Sequence, residues 1–208
     1  MGFFNRKETE EQMLKRLSKG AGNVIAMLKG VLRGPQGTDM TIVMIYAAGL
    51  AGCACHEAVK AGGGTFAVAK TTNGQTFYLG DDVNKYLLEN RLSVLSFISA
   101  VCEGAVDDTL AYVTAFVSSL GDPNLSVCDM TADSVYKMIK ECWDGIYVTM
   151  TTRICKAPSE WPVLYGIVLQ NIILEALKIG APQDEVKRIA LECSIALSRM
   201  GEDTFVQG

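Results

Sequence analysis

Histidine is almost missing from this chain: His56 is the only one in 208 residues. That scarcity removes the usual zinc patterns, which draw on several histidines or spaced cysteine pairs. A Ser-His-Asp triad would have a single histidine to recruit. Phosphate-cradling loops are missing as well. There is no G-x-x-x-x-G-K-[ST], G-x-G-x-x-G or G-x-S-x-G, and Gly62-Gly63-Gly64 leads toward a strand rather than a helix. No apolar run reaches the ~18–20 residues that span a bilayer. The longest, Met40–Cys55, is followed at once by His56 and Glu57. Nor is there a basic surplus: 19 Lys and Arg against 23 Asp and Glu leave a net charge of −4, with no footprint for nucleic acid. The N-terminus lacks a signal-peptide apolar core, and Arg6 stands where a myristoylation motif has Ser or Thr. The expectation is a cytoplasmic protein without a transmembrane segment.

What is present is apolar bulk. Hydrophobic residues make up 49% of the chain and charged residues 20%. A chain of this length can bury a real core within one domain, and the surplus points to central helices or a subunit interface. Seven cysteines (53, 55, 102, 128, 142, 155 and 193) are odd in number and mostly at apolar-face positions. They read as small buried thiols in a reducing compartment. Charge is uneven: residues 1–33 carry seven Lys and Arg against three acids.

The chain divides into an N-terminal amphipathic helix with linker (1–37) and a helical core (38–208), one globular domain overall. Residues 8–32 place Leu14, Leu17, Ala21, Val24, Leu28 and Val31 on one stripe, with Gly20 and Gly22 as candidate kink points. Thr38 or Asp39 caps a second helix that ends near Ala61. In it, Ala47/Ala51/Cys55 and Ala48/Gly52/His56 form ladders of small side chains that permit close helix approach. Helices capped by Asp81 and Ser93 follow. One opened by Asp107 and Asp108, one after Asp129 or Thr131, one capped by Ser159 and one starting at Pro182 complete the set. Residues 146–152 alternate like a strand, but no partner strand lies nearby, so a helix is predicted there.

Between the second and third helices, Asn73-Gly74 predicts a two-residue type I′ hairpin over about 65–79. Counting outward pairs Thr72 with Gln75, Lys70 with Phe77 and Val68 with Leu79. A lone hairpin has two open edges. Pairing with the same hairpin of a second subunit through Phe66, Val68, Phe77, Tyr78 and Leu79 is therefore the expected homodimer interface.

Candidate chemistry is sparse. Cys53, His56 and Glu57 lie on neighbouring helix faces and form an incomplete metal set, while Cys55 points about 160° from Cys53. Asn171 and Glu175, four apart on an apolar helix, would share a ligand pocket with His56 and Glu57, satisfy one another, or face solvent through a gap in the bundle. Lys15, Lys19, Lys29 and Arg33 could meet an anionic surface, or form a solvated face. No catalytic residue, metal or cofactor is assigned.

The passage Lys70-Thr71-Thr72-Asn73-Gly74-Gln75-Thr76-Phe77-Tyr78-Leu79-Gly80-Asp81-Asp82-Val83-Asn84, with Pro158-Ser159-Glu160-Trp161-Pro162, resembles an uncharacterised family of small bacterial proteins. The likeness extends from about residue 42 to the C-terminus. It implies a bacterial cytoplasmic origin and a helix at 146–155, and it transfers no activity, cofactor or site residue. The resulting expectation is a mainly α, single-domain bundle of seven to eight helices with one β-hairpin after the second. The function expected first is a non-catalytic, self-associating interaction or regulatory protein, with a protein partner as an option. Two alternatives stand beside it: a small-molecule or metal-binding protein, or an enzyme, centred on His56, and a peripheral binder of anionic surfaces through residues 8–33.

Overall fold

A computed structural model describes residues 8–205. Its elements are α1 (Glu10–Val31), β1 (Arg33–Gly34), β2 (Gly37–Thr38), α2 (Met40–Ala61), β3 (Ala67–Lys70) and β4 (Thr76–Leu79). These are followed by α3 (Asp81–Asn84), α4 (Val94–Ser99), α5 (Ala105–Ser118), β5 (Ser126–Val127) and β6 (Met130–Thr131). The chain closes with α6 (Ala132–Cys142), α7 (Val148–Ile154), α8 (Trp161–Lys178) and α9 (Gln183–Leu197). A π-helical turn, Trp143–Tyr147, joins α6 to α7, so the described residues form eight continuous helical rods. The mainly α expectation holds, and 146–154 is helical as the missing partner strand required. β1–β2 and β5–β6 are two-residue hairpins too short to show in a residue pattern.

Local chemistry explains most boundaries. Thr9 and Gln12 close a capping box at α1, while Asp39, Ser93 and Thr131 accept backbone N–H groups at the starts of α2, α4 and α6. Three predicted starts differ. Asp81 is the first residue of α3 rather than its cap, which is Gly80 at φ +125°. Ser159 sits inside a 3₁₀ turn that precedes α8, and Pro182 caps α9 from outside instead of opening it.

α2 is the centre of the molecule. It packs between α8 and α9, with α6 also against it; α1 and α4 lie outside α8, and α5 lies outside α9. Although α2 is long and apolar enough to cross a membrane by length and composition, 83% of that apolar window is buried within the fold. The small-residue ladder does what its spacing suggested. A Cβ on Gly52 would sit 2.4 Å from the backbone carbonyl of Ser194, so α9 lies directly on α2's main chain. Gly20 likewise marks a close crossing, against Ile154 of α7, rather than the kink its helix position suggested.

The main hairpin forms where predicted, with its register shifted by one. Lys70 pairs with Thr76, Ala69 with Phe77, Val68 with Tyr78 and Ala67 with Leu79. Thr71 N–H donates to the Gln75 carbonyl, and Gly74, at φ +85°, closes a three-residue loop; Asn73 keeps an ordinary negative φ. This is the alternative hairpin that a left-handed glycine permits. Because side chains alternate, the shift puts Phe66, Val68 and Tyr78 on one face and Phe77 and Leu79 on the other.

Neither face is free in the way the dimer expectation required. Phe77 is fully buried edge-on against Phe116, and Phe66 and Tyr78 pack on His56. The outer edge of β4 is occupied too: Tyr78 N–H donates to the Arg199 carbonyl at 2.8 Å, and Phe77 bridges to Met200. Of the five residues, Val68 alone is more than half exposed, at 54%. The hairpin is held by its own chain's C-terminal segment.

Candidate functional site

The residues nominated as one ligand site are split by the fold. Asn171 is exposed on α8, where its side-chain amide donates to the Ile167 carbonyl of its own helix at 2.8 Å. Glu175 forms an ion pair with Lys29 of α1, which also removes Lys29 from any free basic face. His56 and Glu57 remain on α2, facing different neighbours. Glu57 meets Lys140 of α6 at 3.3 Å and Lys60 at 3.7 Å. Among the described residues no group of three His, Cys, Asp or Glu side chains is placed to hold a metal ion, so the Cys53, His56 and Glu57 set is not assembled. All seven cysteines are free thiols, and burial pushes those of Cys53 and Cys55 upward, away from the thiolate.

His56 is the centre of what does assemble. It is only 3% exposed, because α2 turns its ring beneath the hairpin and against the turn after α9. Phe66 stacks on it at 4.8 Å between centroids, and Tyr78 meets it edge-on at 5.1 Å. Its Nδ1 lies 3.4 Å from the Ser198 carbonyl. A carbonyl can only accept, so in the neutral ring Nδ1 carries the proton and Nε2 is left as a lone pair. Burial pulls the imidazole pKa down to about 4, helped by Lys60 and Lys140; Glu57 and the Ser198 carbonyl act the other way and do not offset it.

Beside the ring lies a recess of about 300 Å³, lined by His56, Lys60, Phe66, Tyr78, Glu202 and Asp203. The Tyr78 hydroxyl donates to the Asp203 carboxylate. Across Glu202 is a second recess of about 270 Å³, where Tyr136 and Phe205 face Lys140. The Tyr136 hydroxyl there is buried without a hydrogen-bond partner among the described residues. Lys140, which also reaches Asp144 at 3.0 Å, ties α6 to α2.

Sequence reasoning found His56 and missed its company. Phe66 and Tyr78 were visible as apolar hairpin residues, but the one-residue register error put them on opposite faces. Glu202 and Asp203 follow the last helix with no local signal. They reach the site because Thr204, fully buried, donates to the Thr76 carbonyl at 2.6 Å and accepts from Gly201 N–H.

A different feature lies on α5. Val106, Leu110 and Val117 are 60%, 74% and 43% exposed. Their spacings of four and seven put them on one helix face, and Val113, half-buried, lies between them.

None of the family models, curated proteins or solved structures compared with the chain matches it.

Proposed function

We propose that this chain is a non-catalytic interaction protein that pairs with a second copy of itself along the outer face of α5. The observation that carries this reading is the exposed aliphatic stripe Val106, Leu110 and Val117. No charged residue interrupts positions 110–119, so over those residues the face offers water only apolar atoms and hydroxyls, with the exposed Asp107 at its N-terminal border. Exposed patches of this kind mark association surfaces. An uncharged stripe complements itself, and two copies placed antiparallel about a two-fold axis close the contact without leaving a free face. The dimer expectation thus moves from the hairpin to α5.

Size sets the strength. A helix of 14 residues is about 21 Å long, and one pair of such helices buries less than a standard stable interface. Pairing is therefore weak and concentration-dependent. The non-catalytic part is supported by the same burial that shapes the core. Burial holds Cys53 and Cys55 as thiols, the contact with Cys128 and then burial do the same for Cys193, and among the described residues no nucleophile is bonded to His56. Seven free thiols suit a reducing cytoplasm.

Sedimentation equilibrium tests the reading. The wild-type mass should rise from 22.4 kDa toward twice that value with concentration, and Leu110→Glu should hold it at the monomer value with an unchanged Tm. A wild-type chain that stays monomeric at its highest soluble concentration, or a Leu110→Glu variant that pairs normally, removes the proposal.

A further inference from the structure

The recess beside His56 presents more acceptors than donors: His56, Glu202 and Asp203 face Lys60 and a Tyr78 hydroxyl that is given to Asp203. His56, a nearly buried side chain, lines it, and its Nε2, the ring nitrogen left with a lone pair, accepts no hydrogen bond among the described residues. Asp203 adds a carboxylate whose one hydrogen bond comes from the Tyr78 hydroxyl and which makes no ion pair among the described residues. Of the nearby cations, Lys140 lies 3.0 Å from Asp144, and Lys60 sits between two carboxylates, 3.7 Å from Glu57 and 3.9 Å from Glu202. Phe66 and Tyr78 supply flat apolar walls beside these acceptors. A recess lined by two carboxylates, an imidazole lone pair and one lysine fits a donor that also carries positive charge.

We propose that this recess binds a small primary amine carried on a flat apolar group, its ammonium donating to His56 Nε2 and to Asp203 while the flat group lies against Phe66 and Tyr78. An ammonium has three N–H donors and no acceptor, so it serves both acceptors at once. Its charge is balanced by Asp203 and favoured by the nearby ring faces. A neutral hydroxyl compound can bond the imidazole but leaves the carboxylate unpaired. An anion meets Lys60 but is opposed by Asp203, Glu202 and the imidazole lone pair together.

The single histidine makes the test direct. Full-length protein labelled with [¹⁵N]histidine gives one pair of imidazole nitrogen resonances, which are followed at neutral pH during titration with benzylamine, benzyl alcohol and benzoate. Benzylamine should shift the Nε2 resonance saturably, at a concentration about tenfold below that needed for either analogue. Asp203→Asn keeps an oxygen for the Tyr78 hydroxyl, so the free protein's resonances should stay in place while the half-saturating benzylamine concentration rises about tenfold. The proposal is overturned by saturation with benzoate or benzyl alcohol as readily as with benzylamine, by no saturable shift with any of the three, or by undiminished benzylamine binding in Asp203→Asn. None of these outcomes depends on whether α5 pairs.

Discussion

Gly52 of α2 lies so close under Ser194 of α9 that a Cβ at position 52 would be 2.4 Å from the Ser194 carbonyl oxygen and 2.9 Å from the Ser198 nitrogen. Both obstacles are backbone, so no rotamer change relieves them. Gly52→Ala should therefore cost about 3 kcal/mol by forcing the two central helices apart. Gly22, in the exposed middle of α1 with open space around it, supplies the control. Gly22→Ala should stabilise by about 0.5–1 kcal/mol through helix propensity. Urea midpoints moving in opposite directions would establish the contrast, and a neutral Gly52→Ala would refute the close crossing.

His56 should make stability depend on pH in a defined window. Its folded pKa is about 4 against an ordinary 6.5, so between those values the unfolded chain binds more protons than the folded one. Stability from the neutral imidazole is fully present above pH 6.5 and is lost as pH falls through 4. The shift corresponds to roughly 3 kcal/mol. His56→Asn should flatten that segment of the Tm-versus-pH curve. The half-buried Glu8 and Asp82, whose pKa values are lowered by their cationic partners, lose their charge below this window.

Thr204→Val keeps the shape of a buried side chain and deletes its hydroxyl. The Thr76 carbonyl and the Gly201 N–H then lose their partner, at a cost of about 2 kcal/mol. Hydrogen exchange is the better readout. The Tyr78 amide, bonded to Arg199, should lose protection, while amides in the middle of α2 keep theirs relative to global unfolding. Unchanged protection at Tyr78 would mean that the C-terminal segment does not hold the hairpin.

Arg199 is buried without an acidic partner among the described residues. Its guanidinium donates to the Ile195 carbonyl, the Ser198 hydroxyl and the Asn84 side-chain oxygen, and burial pulls its pKa below the ordinary arginine value. Asn84→Ala leaves a buried charged donor unmatched and should cost about 2 kcal/mol. Arg199→Met removes the cation along with its needs, and the Ile195 carbonyl still accepts from Ser198 Oγ. It should therefore be the milder change. Denaturation showing the reverse order would assign Arg199 a larger share of stability than its hydrogen bonds explain.

What could be read in the residues was what is decided locally. Asp39, Ser93 and Thr131 announce helix starts because a cap satisfies N–H groups two or three residues away. The ladder around Gly52 announces a close crossing because spacing alone places small side chains on one face. The hairpin's position was legible and its register was not, since a left-handed Gly74 suits either a two-residue or a three-residue loop. The site failed for a related reason. Periodicity says that Asn171 and Glu175 share a face, but not that the face looks toward Lys29 and solvent instead of His56. Glu202 and Asp203 were illegible because long-range bonds, from Thr204 to Thr76 and from Tyr78 to Arg199, bring them in.

The central position of α2 has a consequence for synthesis. Its two main partners, α8 and α9, lie near the end of the chain. About 100 residues separate Ala61 from Trp161, and at ~5–20 residues per second they take about 5–20 s to translate. Throughout that interval the most apolar helix of the nascent chain has emerged without the two surfaces that cover it. Delivery of this protein in folded form thus depends on how long the cell can shelter residues 40–61 behind a moving ribosome.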